Sequence, residues 1–153
     1  MSELSTADRL QIQEVLARYS HCVDRGRWDA LPGLFTEDCR LDLSQLMGVY
    51  EGHAGLKQFS DTLAPLGVFM RHLVTNVVIE GDGERAHVEC YVTAVTGSPA
   101  TPNRMTGFYD DHLVKQNGPG VTGVPFGMPA RYASPPTACA ILAKPGRSLY
   151  GPV

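Results

Sequence analysis

The chain has 153 residues, 43% of them hydrophobic and 19% charged, with a formal net charge of -3. That length suits one domain able to bury roughly 70% of its unfolded surface, and the weakly acidic balance offers nothing to attract nucleic acid or an anionic membrane. The opening MSELSTADRL has no apolar stretch of signal-peptide length, and no window is apolar over the width of a bilayer, so a cytoplasmic protein is expected.

Ser5-Thr6-Ala7-Asp8 has the form of a capping box ahead of an apolar run and predicts a helix start. Ile12, Val15, Leu16, Tyr19, Cys22 and Val23 recur at three- and four-residue steps, one face of a helix. Asp24 falls at the border of that face, and Gly26 supplies the left-handed residue that ends such a helix. Trp28 to Phe35 predicts a second, short helix, with Pro32 near its start. Cys39 to Leu43 alternates with the period of a half-buried strand, and Val49-Tyr50-Glu51 predicts a short extended piece beside it. A third helix is expected over His53 to Leu63. Met70 to Glu80 and Arg85 to Val95 are rich in β-formers around the turn Gly81-Asp82-Gly83, a long hairpin. Met105 to Lys115 makes the next strand, after a Pro-rich loop from Gly97 to Pro102.

The expected fold is therefore α+β: three N-terminal helices packed on a curved antiparallel sheet that forms a cone-shaped pocket. Beyond Gln116 the composition shifts, with seven of the eleven prolines and six of the sixteen glycines and no acidic residue. Residues 1–116 are expected to form the domain and residues 117–153 a Gly/Pro-rich tail, a lid, a subunit-exchange element or an atypical appendage. Asn117-Gly118 has the form of a hairpin turn, but Pro119 to Pro125 offers at best a weak edge strand. Cys22, Cys39, Cys90 and Cys139 lack C-x-x-C spacing, and buried free thiols are expected of them.

The segments E-V-L-A-R-Y-S-H-C-V-D-R-G-R-W-D-A-L-P-G-L-F-T-E-D (Glu14 to Asp38), Y-E-G-H-A-G-L (Tyr50 to Leu56) and R-H-L-V-T-N (Arg71 to Asn76) resemble the SnoaL-like branch of the nuclear transport factor two-like, cone-fold superfamily. Its members include scytalone dehydratase and hexachlorocyclohexane dehydrochlorinase. The resemblance runs from Leu4 to about Lys115. It implies a pocket aspartate at Asp24, a proton-abstracting histidine at His72 and a carbonyl-polarising tyrosine at Tyr50, and it implies a homo-oligomer, dimer or trimer. The chain departs from scytalone dehydratase in having Val23 where a tyrosine precedes the aspartate, and only Tyr91, Thr93 or Val95 where a second histidine stands. The usual last strand is expected to be missing.

The residue types suit proton abstraction. Imidazole is the side chain whose basicity starts closest to neutral pH, and a carboxylate on its other nitrogen fixes the tautomer and stabilises the imidazolium. Asp24 orienting, His72 abstracting and Tyr50 or Tyr19 donating to an oxyanion would make a cofactor-free lyase or isomerase site, each donor worth about 3 kcal/mol. The ligand would be a small hydrophobic cyclic or polyketide-like molecule, lined by Trp28, Leu34, Phe35, Phe59, Phe69, Met70, Tyr91 and Met105, with His112 as a substitute second histidine. Plainer readings stay open here: Asp24 as a solvated helix end, His72 as a solvent-face or satisfied core histidine, Tyr19 as core. So does a non-catalytic binding or scaffold module of the same fold. No metal site is expected, since no histidines are spaced i, i+4 and no acid–histidine cluster is local.

Overall fold

The computed structural model describes residues 3–98, 100–116 and 126–134. Helix α1 (Thr6–Asp24) opens on the expected box: the Asp8 amide donates to Ser5 Oγ at 3.1 Å, and Asp8 Oδ2 accepts from the Ser5 amide at 3.0 Å. Its buried apolar residues are the set read from the periodicity, Ile12, Val15, Leu16, Tyr19, Cys22 and Val23, and Asp8 and Ser20 are buried with them. Gly26, at φ +62, lets the chain leave the helix in the left-handed region. Trp28–Leu34 is a 3-10 helix, not an α-helix. Pro32 lies inside it rather than at its start, and proline removes an amide donor that a longer α-helix would need. Helix α2 (Gly52–Leu63) is the third expected helix, and a 3-10 turn, Ala64–Leu66, extends it.

The sheet has six strands: β1 (Phe35–Leu43), β2 (Gly48–Glu51), β3 (Phe69–Gly81), β4 (Arg85–Ser98), β5 (Thr101–Lys115) and β6 (Phe126–Ser134), in spatial order β2-β1-β6-β5-β4-β3. It is mixed, not antiparallel throughout, because β6 runs parallel to β1 and antiparallel to β5. Two expectations are corrected. The loop from Gly97 to Pro102 is largely strand, since Gly97 pairs with Pro102 and Ser98 with Thr101. The missing last strand is present: residues 126–134, assigned by composition to a tail, are an interior strand of the sheet. Pro129 falls in the stretch where β6 carries one residue more than β5, between the pairs Gly127↔Val114 and Ala130↔His112. Such an irregularity is where a strand tolerates a residue with no amide hydrogen. The remaining tail, 135–153, and Asn117-Gly118 lie outside the described residues.

Strand β3 changes phase at Asn76. Met70, His72 and Val74 face inward before it, Val77 and Ile79 after it. Asn76 has φ 55, and the β3–β4 register shifts between Thr75 and Val78. This bulge bends the sheet around the helices, and the core fills the concave side, where Leu31, Leu34, Leu41, Leu56, Val88 and Met128 are almost fully buried. The convex side carries exposed Leu73, Tyr91 and Phe108. Cys22, Cys39 and Cys90 are buried free thiols, and burial pushes Cys39 and Cys90 up to about 11; Cys139 lies outside the described residues. Among the described residues no helix is long and apolar enough to cross a membrane.

Candidate active site

Asp24 is the last residue of α1, and its carboxylate is aimed at β3. One oxygen accepts the His72 main-chain N–H at 2.9 Å, and the other accepts from His72 Nδ1 at 2.6 Å. A carboxylate only accepts, so Nδ1 carries the hydrogen and Nε2 is left as the basic nitrogen. The two side chains are 10% and 13% exposed. Burial by itself would raise the Asp24 carboxyl, but hydrogen bonds from the His72 ring and amide, helped by the charges of His72 and Arg71, hold it below the usual carboxylate value. It therefore stays ionised at neutral pH, and what distinguishes it from a solvated helix end is its burial and its two bonds to His72.

His72 stands between two hollows. On one side is a cavity of about 660 Å³ walled by Val23, Phe59, Leu63, Met70, Val92 and Met105 among others. Its polar lining comes from Tyr19, Tyr109, Thr96, Asn103 and Thr106 besides His72. On the other side lies a polar hollow of about 550 Å³, bordered by Gln13, Ser20, His21, Asp24 and Asn76. An imidazole in that position can meet a ligand on its apolar side and exchange a proton with water through the polar one.

Sequence reasoning missed the structure beneath the cavity. Arg131 of β6 is fully buried and donates through Nε and Nη2 to the two oxygens of Asp111 at 2.7 and 2.6 Å. Its guanidinium lies between the rings of Tyr19 and Tyr109, 4.0 and 4.2 Å from their centroids, which is cation–π contact on both faces. Burial pushes Asp111 up against the opposing pull of Arg131, and burial raises both phenols, which stay protonated and able to donate at neutral pH. The alternation Gly107, Tyr109, Asp111, Leu113 puts an acid on the buried face of β5, a demand for a cation legible in the sequence. The cation itself sat in the stretch read as tail.

The expected site residues divide accordingly. Tyr19, Phe59, Met70, His72 and Met105 line the large cavity, and Asp24 backs His72. Tyr50 does not reach the cavity lining: its hydroxyl donates to the Met47 carbonyl at 3.3 Å, and its ring packs edge-on against Phe59. Trp28 is not among the cavity-lining residues and packs edge-on against Phe59, while Leu34 and Phe35 are core residues. Phe69 is exposed beneath the Arg71 guanidinium, 4.6 Å from its ring. Tyr91 and His112 lie on the convex face, because β4 sends Cys90, Val92 and Ala94 inward and β5 sends Tyr109, Asp111 and Leu113 inward. His112 is thus no second histidine for the cavity.

The model of the SnoaL-like domain family matches residues 5–119. The chain belongs to this family. As a SnoaL-like protein it is 31% identical over 119 residues to the uncharacterised Rv2910c of Mycobacterium tuberculosis, covering 75% of this chain and 80% of that one. A Nostoc punctiforme protein of unknown function with a cystatin-like fold superposes with a TM-score of 0.74 at 24% identity, over 93% of this chain and all of its own. A provisionally assigned scytalone dehydratase from Novosphingobium aromaticivorans superposes at 0.72 and 19% identity, over 85% of each chain. These two likenesses concern the fold.

Proposed function

We propose that this SnoaL-like protein is a cofactor-free lyase or isomerase for a hydrophobic cyclic or polyketide-like small molecule, with His72 as general base and Asp24 as the residue that orients it. The observation that carries this reading is the 2.6 Å contact between Asp24 and His72 Nδ1 at the wall of an apolar cavity. With Nδ1–H committed to the carboxylate, Nε2 takes the proton next to a carbonyl or leaving group, and Asp24 stabilises the imidazolium that forms. Tyr19 and Tyr109, neutral at the cavity wall, are the donors nearest in kind to what a developing oxyanion needs. The apolar lining holds the ligand's hydrocarbon part and keeps bulk water away from the transfer.

A second reading, a non-catalytic binding or scaffold module, draws on the fact that His72 is the single imidazole among the described residues lining the cavity. The two part in one experiment. A panel of cyclic hydroxyketones is incubated with the protein in deuterated water, with exchange or elimination followed by NMR and binding by thermal shift. The lyase reading expects exchange that His72→Gln abolishes while binding persists. Binding without exchange in the parent protein, or exchange that survives His72→Gln, would reject it.

A further inference from the structure

The convex face carries a cluster that the cavity chemistry does not use. His87 and His112 are direct cross-strand partners on β4 and β5, so their rings leave the sheet on the same side, stacked with centroids 5.0 Å apart and planes 24° from parallel. Asp110, two residues before His112, shares that face. Its Oδ1 lies 2.9 Å from His87 Nε2 and 3.7 Å from His112 Nε2. One donor atom from each of the three residues falls within 4.8 Å of the others.

We propose that His87, Asp110 and His112 bind a divalent transition metal of the zinc class. Two imidazoles and one carboxylate are the donors that Zn²⁺, Ni²⁺ and Cu²⁺ favour, whereas Mg²⁺ and Ca²⁺ take oxygen ligands. A tetrahedral ion bonded at about 2.0–2.1 Å separates its ligands by roughly 3.3 Å. The two separations from the carboxylate oxygen bracket that figure, and rotation of the two partly exposed rings, whose donor atoms lie within 4.8 Å of each other, completes the site. The strand pairing supplies the preorganisation, since the register that places His87 opposite His112 is fixed by the long β4–β5 ladder. The side chains are 38%, 41% and 52% exposed, in the order His87, Asp110, His112, which leaves the fourth position to water. Glu80 is the cross-strand partner of His87 and Glu89 that of Asp110, so two further carboxylates share the face and offset the charge of an ion.

A simple hydrogen bond from His87 to Asp110 accounts for the 2.9 Å contact. A second imidazole, near-parallel to the first, lies 3.7 Å from the same oxygen. Each imidazole can supply one ring nitrogen to a metal and the carboxylate one oxygen, so the three residues together offer three donors. Local spacing gives no sign of the site, because residues 25 apart in sequence are joined only by the strand register.

The test is calorimetric titration of the EDTA-treated full chain with ZnCl2, followed by Co²⁺ substitution and absorption spectroscopy. One ion per chain is expected, with affinity at least tenfold weaker in His112→Gln and in Asp110→Asn and unaltered in His72→Gln. Circular dichroism checks that each variant folds, and the Co²⁺ bands should be those of nitrogen and oxygen ligands without thiolate charge transfer. Absence of binding overturns the proposal. So do undiminished affinity in His112→Gln and Asp110→Asn, thiolate bands that place the ion on cysteine, or one ion per two chains, which would place it between copies.

Discussion

The two faces of the sheet each hold an imidazole against an aspartate, and the resemblance ends there. On the concave side Asp24 spends both oxygens on one residue, the ring and the main-chain amide of His72, in a largely dry setting. On the convex side Asp110 offers one oxygen to two rings in the open. The first arrangement fixes a tautomer on a residue that lines the large cavity, which suits proton transfer. The second leaves donors in a shared half-shell, which suits a cation. A short acid–histidine distance therefore says little until burial and the remaining partners of the carboxylate are known.

Under the proposed chemistry the largest effect expected from breaking this contrast is on turnover: His72→Gln should lower it about 10²–10⁴-fold, with a thermal midpoint close to that of the parent. Next comes a pair of neighbours on opposite faces. Asp111→Asn weakens the partner of the buried Arg131 charge and should cost about 3–5 kcal/mol in urea denaturation, whereas Asp110→Asn on the exposed face should cost about 0–1 kcal/mol. Equal losses at the two positions would contradict the assignment of faces.

A pH series sharpens the concave side further. The folded-state value of Asp24 lies below its unfolded value of about 3.9, so the fold favours the carboxylate. That contribution is complete above about pH 4 and is lost as pH falls through the depressed value. Thermal midpoints between pH 2 and 7 should accordingly fall less steeply at the acid end in Asp24→Asn than in the parent. The smallest change is at the other end of the same helix, where Ser5→Ala removes the cap and should cost about 1 kcal/mol, read by chemical denaturation with no change in the cavity.

Much of this was legible in the chain itself. The first helix, its cap and its stop follow from short-range rules, as do the β3–β4 hairpin and the strand β5, because periodicity and turn residues act over a few positions. The pairing of Asp24 with His72 was reached through the family resemblance, not through spacing. Tyr50 was misplaced because its position on a short strand does not say which way the ring turns once α2 packs over it: a β-carbon on Gly55 would come within 2.8 Å of the Tyr50 backbone, so helix and strand are in close contact there.

The sequence alone determined the local elements and the apolar face each must bury, since helix and strand periods are written residue by residue. Only the tertiary structure decided that Phe126–Ser134 enters the sheet, that Arg131 answers Asp111 between two tyrosine rings, and that His87 meets His112. Each of these joins residues far apart along the chain through strand order and register. Composition carries no record of either, and a segment rich in proline and glycine conceals a strand whose ladder tolerates an extra residue at Pro129.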